Sequence, residues 1–235
     1  WYTAHRGYRV FLNFRLPRTA RTFAIDWLHD AWGKIAISIA EGDEVVDVRL
    51  TNGKNELIIA NRNGRAVYFD ENDIRTMGRT ATGVRGMRLD GKDDAVVGMI
   101  VVNDAASETV MVVSENGYGK RSLVEDYRKT KRGGKGVKTL NITEKTGKLV
   151  AIKNVTNDND LMIINKSGIV IRLAVSDCRV MGRATQGVRL INLAKKNDVI
   201  ASVCKVMTSE MEAALNEQSE EQEEKTLTQA EQPRE

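Results

Sequence analysis

The chain has 235 residues, 41% of them hydrophobic and 29% charged, the balance of a folded globular protein of one large or two small domains. No apolar run approaches the ~18 residues needed to span a bilayer. The opening WYTAHRGYRV has no signal pattern and no initiator Met, so it reads as part of a longer, intracellular chain. The net charge of +4 hides an asymmetry: residues 207–235 hold nine Glu against Lys225 and Arg234, a tail of −7, which leaves +11 on residues 1–206. A basic body of that size points to a polyanionic partner, and an acidic tail could compete for the same surface.

The N-terminal part is irregular. WYTAHRGYRVFLNF reads as the first half of a β-unit, with Gly7 in its turn. Pro17 and the following RTARTFAI suggest an edge strand with a basic loop. Residues 15–32 are too few to complete one unit and begin another, and no element is assigned to 18–32. A degenerate unit and missing residues both fit. GKIAISIAEGDEVVDVRL, from Gly33, reads as the second half of a unit.

From Asn55 onward a stretch of about 50 residues is written three times. Gly64, Gly117 and Gly168 mark one recurring position and Gly83, Gly136 and Gly187 another; both series step by 53 and then 51 residues. A fixed period of this length signifies one supersecondary unit arrayed on itself. Each copy begins with a short apolar run (LIIA, VMVV, LMII), then an Asn-Gly or Ser-Gly turn of the kind that closes hairpins. The next segments, RAVYF, YGKRSL and IVIRLAV, read as half-exposed strands. A polar basic loop follows, then a third strand (VRGMRL, VKTLNI, VRLINL) and a fourth that closes the unit (AVVGMIVV, KLVAIKNV, DVIASVCKV). Four strands in about 50 residues match one propeller blade. The predicted fold is all-β over residues 1–207: irregular near 1–32, partial at 33–52, with units at 55–102, 109–155 and 159–206. The tail, 208–235, has almost no β-branched or aromatic residues and is expected to be disordered.

No catalytic constellation is visible. His5 and His29 have no partners at metal-ligand spacing. GYGKRS lacks the spacer and the Ser or Thr of a phosphate loop. Asp93, Asp94, Asp158 and Asp160 read as loop carboxylates. Cys178 and Cys204 read as reduced core thiols on strand-like segments.

The chemistry that remains is cationic. Thr130-Lys131-Arg132-Gly133-Gly134-Lys135-Gly136 joins three cations to three glycines, which let backbone N–H groups approach a ligand. Arg128, Lys129 and Lys138 flank it. The neighbouring units carry Arg75, Arg79 and Arg85, and Arg179, Arg183 and Arg189. Three basic loops in register on arrayed units would form a track for duplex phosphates. Few Asn or Gln residues stand where base edges could be read, and only Tyr118 and Tyr127 offer rings for stacking single-stranded bases. The track should therefore hold phosphates with little sequence preference.

Read together, ANRNGRAV, RTMGRTATGVRG, NGYGKR, TKRGGKGVKTL and VMGRATQGV resemble the C-terminal domain of the DNA gyrase A-subunit family, type IIA topoisomerases, over residues 33–207 and more weakly over 1–25. The resemblance implies a β-pinwheel, a propeller-like disc of usually six blades with strand exchange between neighbours. It implies that double-stranded DNA wraps around the basic rim while the acidic tail tunes wrapping. It further implies a bacterial, cytoplasmic protein that assembles with the rest of gyrase A and with gyrase B as A2B2, supporting ATP-dependent negative supercoiling. ATP and Mg would act on other domains, leaving this segment without cofactor or catalytic residue. Lys131 to Gly136 reproduces the Arg-Gly-Gly-Lys-Gly core of the family's signature box, but Thr130 stands where the box has Gln, and its place suits a later blade; the first-blade box is expected upstream of Trp1. Two alternatives are the equivalent domain of topoisomerase IV and a propeller that serves protein interaction.

Overall fold

The apolar runs of the first two repeats are continuous because both faces of their strands are covered, as in any sheet sandwiched between two others. In the computed structural model, which describes residues 9–14, 20–26, 44–77, 83–91, 93–193 and 198–207, Leu57 and Ile59 face one core while Ile58 and Ala60 face the next. One core packs Leu57, Ile59, Val67, Phe69 and Met99 with Met87. A second joins Ile58, Tyr68 and Ile100 to Val110, Val112, Tyr127 and Leu140. A third joins Met111, Val113 and Ala151 to Leu161, Ile163 and Val203. Each fully buried Val, Leu or Ile is worth ~1.5–3 kcal/mol, so these layers between units hold the array together.

Four antiparallel sheets are present among the described residues. The first runs β3 (Val45–Thr51), β1 (Arg9–Phe14), β2 (Ala20–Asp26), β6 (Val84–Met87). The second runs β7 (Val96–Val102), β4 (Glu56–Asn61), β5 (Arg65–Asp70), β10 (Val137–Lys138). The third runs β11 (Leu149–Val155), β8 (Thr109–Ser114), β9 (Tyr118–Leu123), β14 (Val188–Arg189). The fourth runs β15 (Ile200–Met207), β12 (Asn159–Asn165), β13 (Val170–Ala174). β3 packs on β7, β7 on β11 and β11 on β15, so these strands form the hub. A bulge recurs where each first strand meets its hub strand, at Asn13/Phe14, Ala60/Asn61, Leu149/Ala151 and Ile164/Asn165. Such bulges bend and twist a strand locally.

Three expectations change. The third strand of a unit does not close its own sheet. β6, β10 and β14 each cross to the preceding unit, pairing with β2, β5 and β9, which is the strand exchange the resemblance implied. The second strands β5 and β9 are buried rather than half-exposed, Lys120 and Arg121 included, because the exchanged strand and its loop lie over them. Only β13, which has no such neighbour among the described residues, is half-exposed. Lastly, Ala20–Asp26 is an interior strand between β1 and β6, not an edge.

The hairpin ends are fixed by side chains at one repeating position. Asn61 Oδ1 accepts from Arg65 N at 2.8 Å, Asn165 Oδ1 accepts from Ile169 N at 2.7 Å, and Ser114 Oγ donates to Tyr118 O at 3.1 Å. Cys178 is buried beside a short 3-10 turn, whereas Cys204 is exposed on β15. No helix among the described residues is long and apolar enough to cross a membrane. The acidic tail, 208–235, lies outside the described residues.

Candidate nucleic-acid interface

Strand exchange places one series of basic residues on the outermost strand of successive sheets: Arg85 on β6, Lys138 on β10 and Arg189 on β14. The residue opposite each is also informative. Arg85 pairs in register with Arg21, Lys138 with Arg65 and Arg189 with Tyr118. Like charges directly opposite on a sheet, as at Arg65 and Lys138, cost ~0.2–1 kcal/mol, a penalty the layered cores easily outweigh. Arg65 was not among the sequence candidates. Its signal is its place directly after the hairpin turn, opposite the exchanged strand.

A second series, Arg75, Arg128 and Arg179, directly follows the turn after each second strand. All three are exposed, as are Arg85 and Lys131, and none of the five side chains has a hydrogen bond or ion pair among the described residues. Arg79 lies outside the described residues.

The remaining candidates are engaged within the protein. Arg132 donates from Nε to Asp73 O at 2.9 Å and from Nη1 to Arg85 O at 3.1 Å. Arg183 repeats this with Asp126 O at 2.9 Å and Lys138 O at 2.8 Å. Each guanidinium thus spans the end of the preceding unit's 3-10 turn and its neighbour's exchanged strand. Lys129 is clamped between Glu56 and Asp70, 2.5 and 3.3 Å away; Glu56 chiefly raises its pKa. Lys135 pairs with Asp90 at 3.2 Å.

The glycines of the basic loop have structural tasks too. Gly133 N donates to Gly86 O at 2.6 Å and Gly134 O accepts from Arg88 N at 2.8 Å. Gly136 has φ +72°, and a Cβ there would lie 2.2 Å from Ala66 O; Gly187 repeats this against Gly119 O at 2.6 Å. Only glycine lets the exchanged strand enter so close to the preceding sheet.

Behind the loop of the last unit lies Lys120, fully buried. Its Nζ donates to Ser122 Oγ at 2.9 Å and to Gly182 O at 2.8 Å. Burial pushes its pKa down to about 8; Asp126 opposes the shift and Arg183 adds to it. Among the described residues no three His, Cys, Asp or Glu side chains cluster as a metal site. The surface can therefore present fixed positive charge along an edge.

The sequence matches the family described as DNA gyrase C-terminal domain, beta-propeller, over residues 32–52, 55–103, 108–156 and 159–204. It is 47% identical over 187 residues to the DNA gyrase A protein of Staphylococcus aureus strain MRSA252, covering 80% of this chain and 21% of that one. It thus spans about a fifth of the length of the curated relatives it matches. Its fold is similar to the C-terminal domain of DNA topoisomerase IV (TM-score 0.79, 24% identity, 90% of this chain and 67% of the other). It is nearly as similar to a DNA gyrase A C-terminal domain (TM-score 0.77, 24% identity, 87% and 68%). Repeats, exchanged strands and family match agree: this chain belongs to the DNA gyrase C-terminal domain family.

Proposed function

We propose that this chain is the DNA-wrapping part of gyrase A, holding double-stranded DNA along the outer strands of its sheets. The observation that carries the reading is the line of basic register positions at Arg85, Arg65–Lys138 and Arg189. Cations facing each other across an outer strand pair repel and so disfavour folding. A polyanion lying over them removes the repulsion and releases counterions. Arg75, Arg128, Lys131 and Arg179 add exposed cations to the same array.

In this reading the chain has no catalytic residue of its own. Strand cleavage and ATP hydrolysis belong to other parts of a cytoplasmic assembly with the rest of gyrase A and gyrase B. Wrapping presents a second DNA segment with a fixed handedness, so that strand passage yields negative supercoils. The 47% identity to gyrase A favours gyrase over topoisomerase IV, because the fold likeness is nearly the same for both. The test is gel retardation of linear duplex and single strand across a salt series. Duplex binding that is indifferent to sequence and weakens steeply with salt supports the reading. Preference for single strands, or salt-independent binding, overturns it.

A further inference from the structure

The junction between β9 and β14 is built differently from that between β5 and β10. Tyr118 opens β9 and lies opposite Arg189 on β14. Its phenol oxygen accepts from Arg189 Nη2 at 3.0 Å and lies 3.3 Å from Nε. The Arg189 guanidinium and the Lys145 ammonium each lie 5.5 Å from the centre of its ring. Ring faces attract cations, so one tyrosine gathers two positive charges that would otherwise separate. Neither cation has an ion pair among the described residues.

These groups wall a cleft of about 240 Å³ together with Asn116, Asn192 and Asp198. Among the described residues the cleft has one carboxylate, Asp198, which accepts from Ser167 Oγ at 2.6 Å and from Val199 N at 2.8 Å; the Ser167 bond keeps it ionised, so Lys145 and Arg189 outweigh it by one positive charge. Asn116 Nδ2 is turned to the carbonyls of Glu144 and Lys145, at 3.1 and 3.2 Å, which fixes the loop that carries Lys145. With its oxygen accepting from Arg189, the Tyr118 hydroxyl directs its own proton away from that side chain. A positioned O–H donor beside two cations suits a tetrahedral oxyanion. The preceding sheet has Arg65 at this position, and it donates to Gly136 O at 3.2 Å instead, so among the described sheets this arrangement occurs once.

We propose that Tyr118, Lys145 and Arg189 seat one backbone phosphodiester of the bound duplex, fixing the register of the DNA between the third and fourth units. The inference rests on the DNA-binding reading above and adds two positioning residues to it, Tyr118 and Lys145. Lys145 supplies one counterion-releasing contact, and Tyr118 supplies a neutral, directional one. Arg189 holds the phenol and shares the charge. The two kinds of contact therefore respond differently to salt.

The test uses the whole chain with Tyr118→Phe, Lys145→Met and Lys145→Arg, measuring linear-duplex affinity across salt and the melting temperature of each variant. Lys145→Met is expected to reduce the salt slope by about 0.9, with Lys145→Arg restoring it. Tyr118→Phe is expected to weaken binding about ten- to a hundredfold, the scale of one hydrogen bond to a charged group, with the slope unchanged. Melting temperatures should match wild type. Wild-type affinity and slope in both Tyr118→Phe and Lys145→Met, while Arg85→Ala binds more weakly, overturn the seat and leave the DNA reading standing. Loss of affinity accompanied by an equal fall in melting temperature, not restored by Lys145→Arg, also overturns it. Inorganic phosphate that raises the wild-type melting temperature while duplex affinity ignores the variants assigns the cleft to free phosphate and overturns the proposal. A wild-type chain that binds no duplex overturns both readings.

Discussion

Arg132 donates its Nε–H to the carbonyl oxygen of Asp73 at 2.9 Å, which ties the basic loop of one unit to the turn of the unit before it. An arginine that the sequence marks as a ligand contact is thereby also a fastener. Under the proposed DNA reading, phosphate contact and unit docking share this side chain, and a variant that removes it is expected to disturb both.

Arg132→Ala is expected to lower stability by about 1–2 kcal/mol, since two partly exposed charge-assisted hydrogen bonds to carbonyls are lost. It should also weaken duplex binding. Lys131→Ala, whose side chain has no partner among the described residues, should leave stability within about 0.5 kcal/mol and reduce the salt slope by about 0.9. Urea unfolding alongside binding titrations separates the two effects.

Gly136→Ala places a Cβ 2.2 Å from Ala66 O at a backbone φ of +72°. The backbone must shift, and the exchanged strand β10 pairs with β5 through only two residues. A loss of about 2 kcal/mol or more is expected. At Gly182 a Cβ would meet nothing within 4 Å and φ is not positive, so Gly182→Ala should be nearly neutral. Chemical denaturation of both variants checks the contrast.

Much of this was legible in the sequence. The repeat spacing, the turn glycines and the apolar runs are local signals, and each resolves into the expected strands. The exchange of β6, β10 and β14 was not legible from the residues themselves. A strand as short as Val137–Lys138 shows no alternation, and its partner, Ala66 with Arg65, lies a whole unit away. Nor do residue types separate Lys131, exposed and unpaired, from Lys129, clamped by Glu56 and Asp70. Lys120 misled for a related reason: a lysine in a second strand signals exposure, but the loop of the next unit covers it and supplies the Gly182 carbonyl as its partner.

Lys120 gives a pH signature. Its pKa is about 8 in the fold against an ordinary 10.5. Between these values the unfolded chain holds the proton that the folded chain has lost, so the unfolding free energy rises with pH. Below about pH 8 both states are protonated and the burial penalty is felt in full. The difference in stability between wild type and Lys120→Met should therefore move in favour of wild type from pH 8 to 10.5, by up to ~1.4 kcal/mol per pH unit. Urea unfolding of both proteins across that range provides the check; a pH-independent difference would show that Lys120 titrates normally in the fold.

The central claim is that the outer strands grip a duplex along its length. Ligation of nicked circular plasmid in the presence of the chain reads this most directly. The account predicts a change in linking number of one sign that grows with bound protein and is lost in Arg85→Ala/Lys138→Ala. An unchanged topoisomer distribution at saturating occupancy would contradict it.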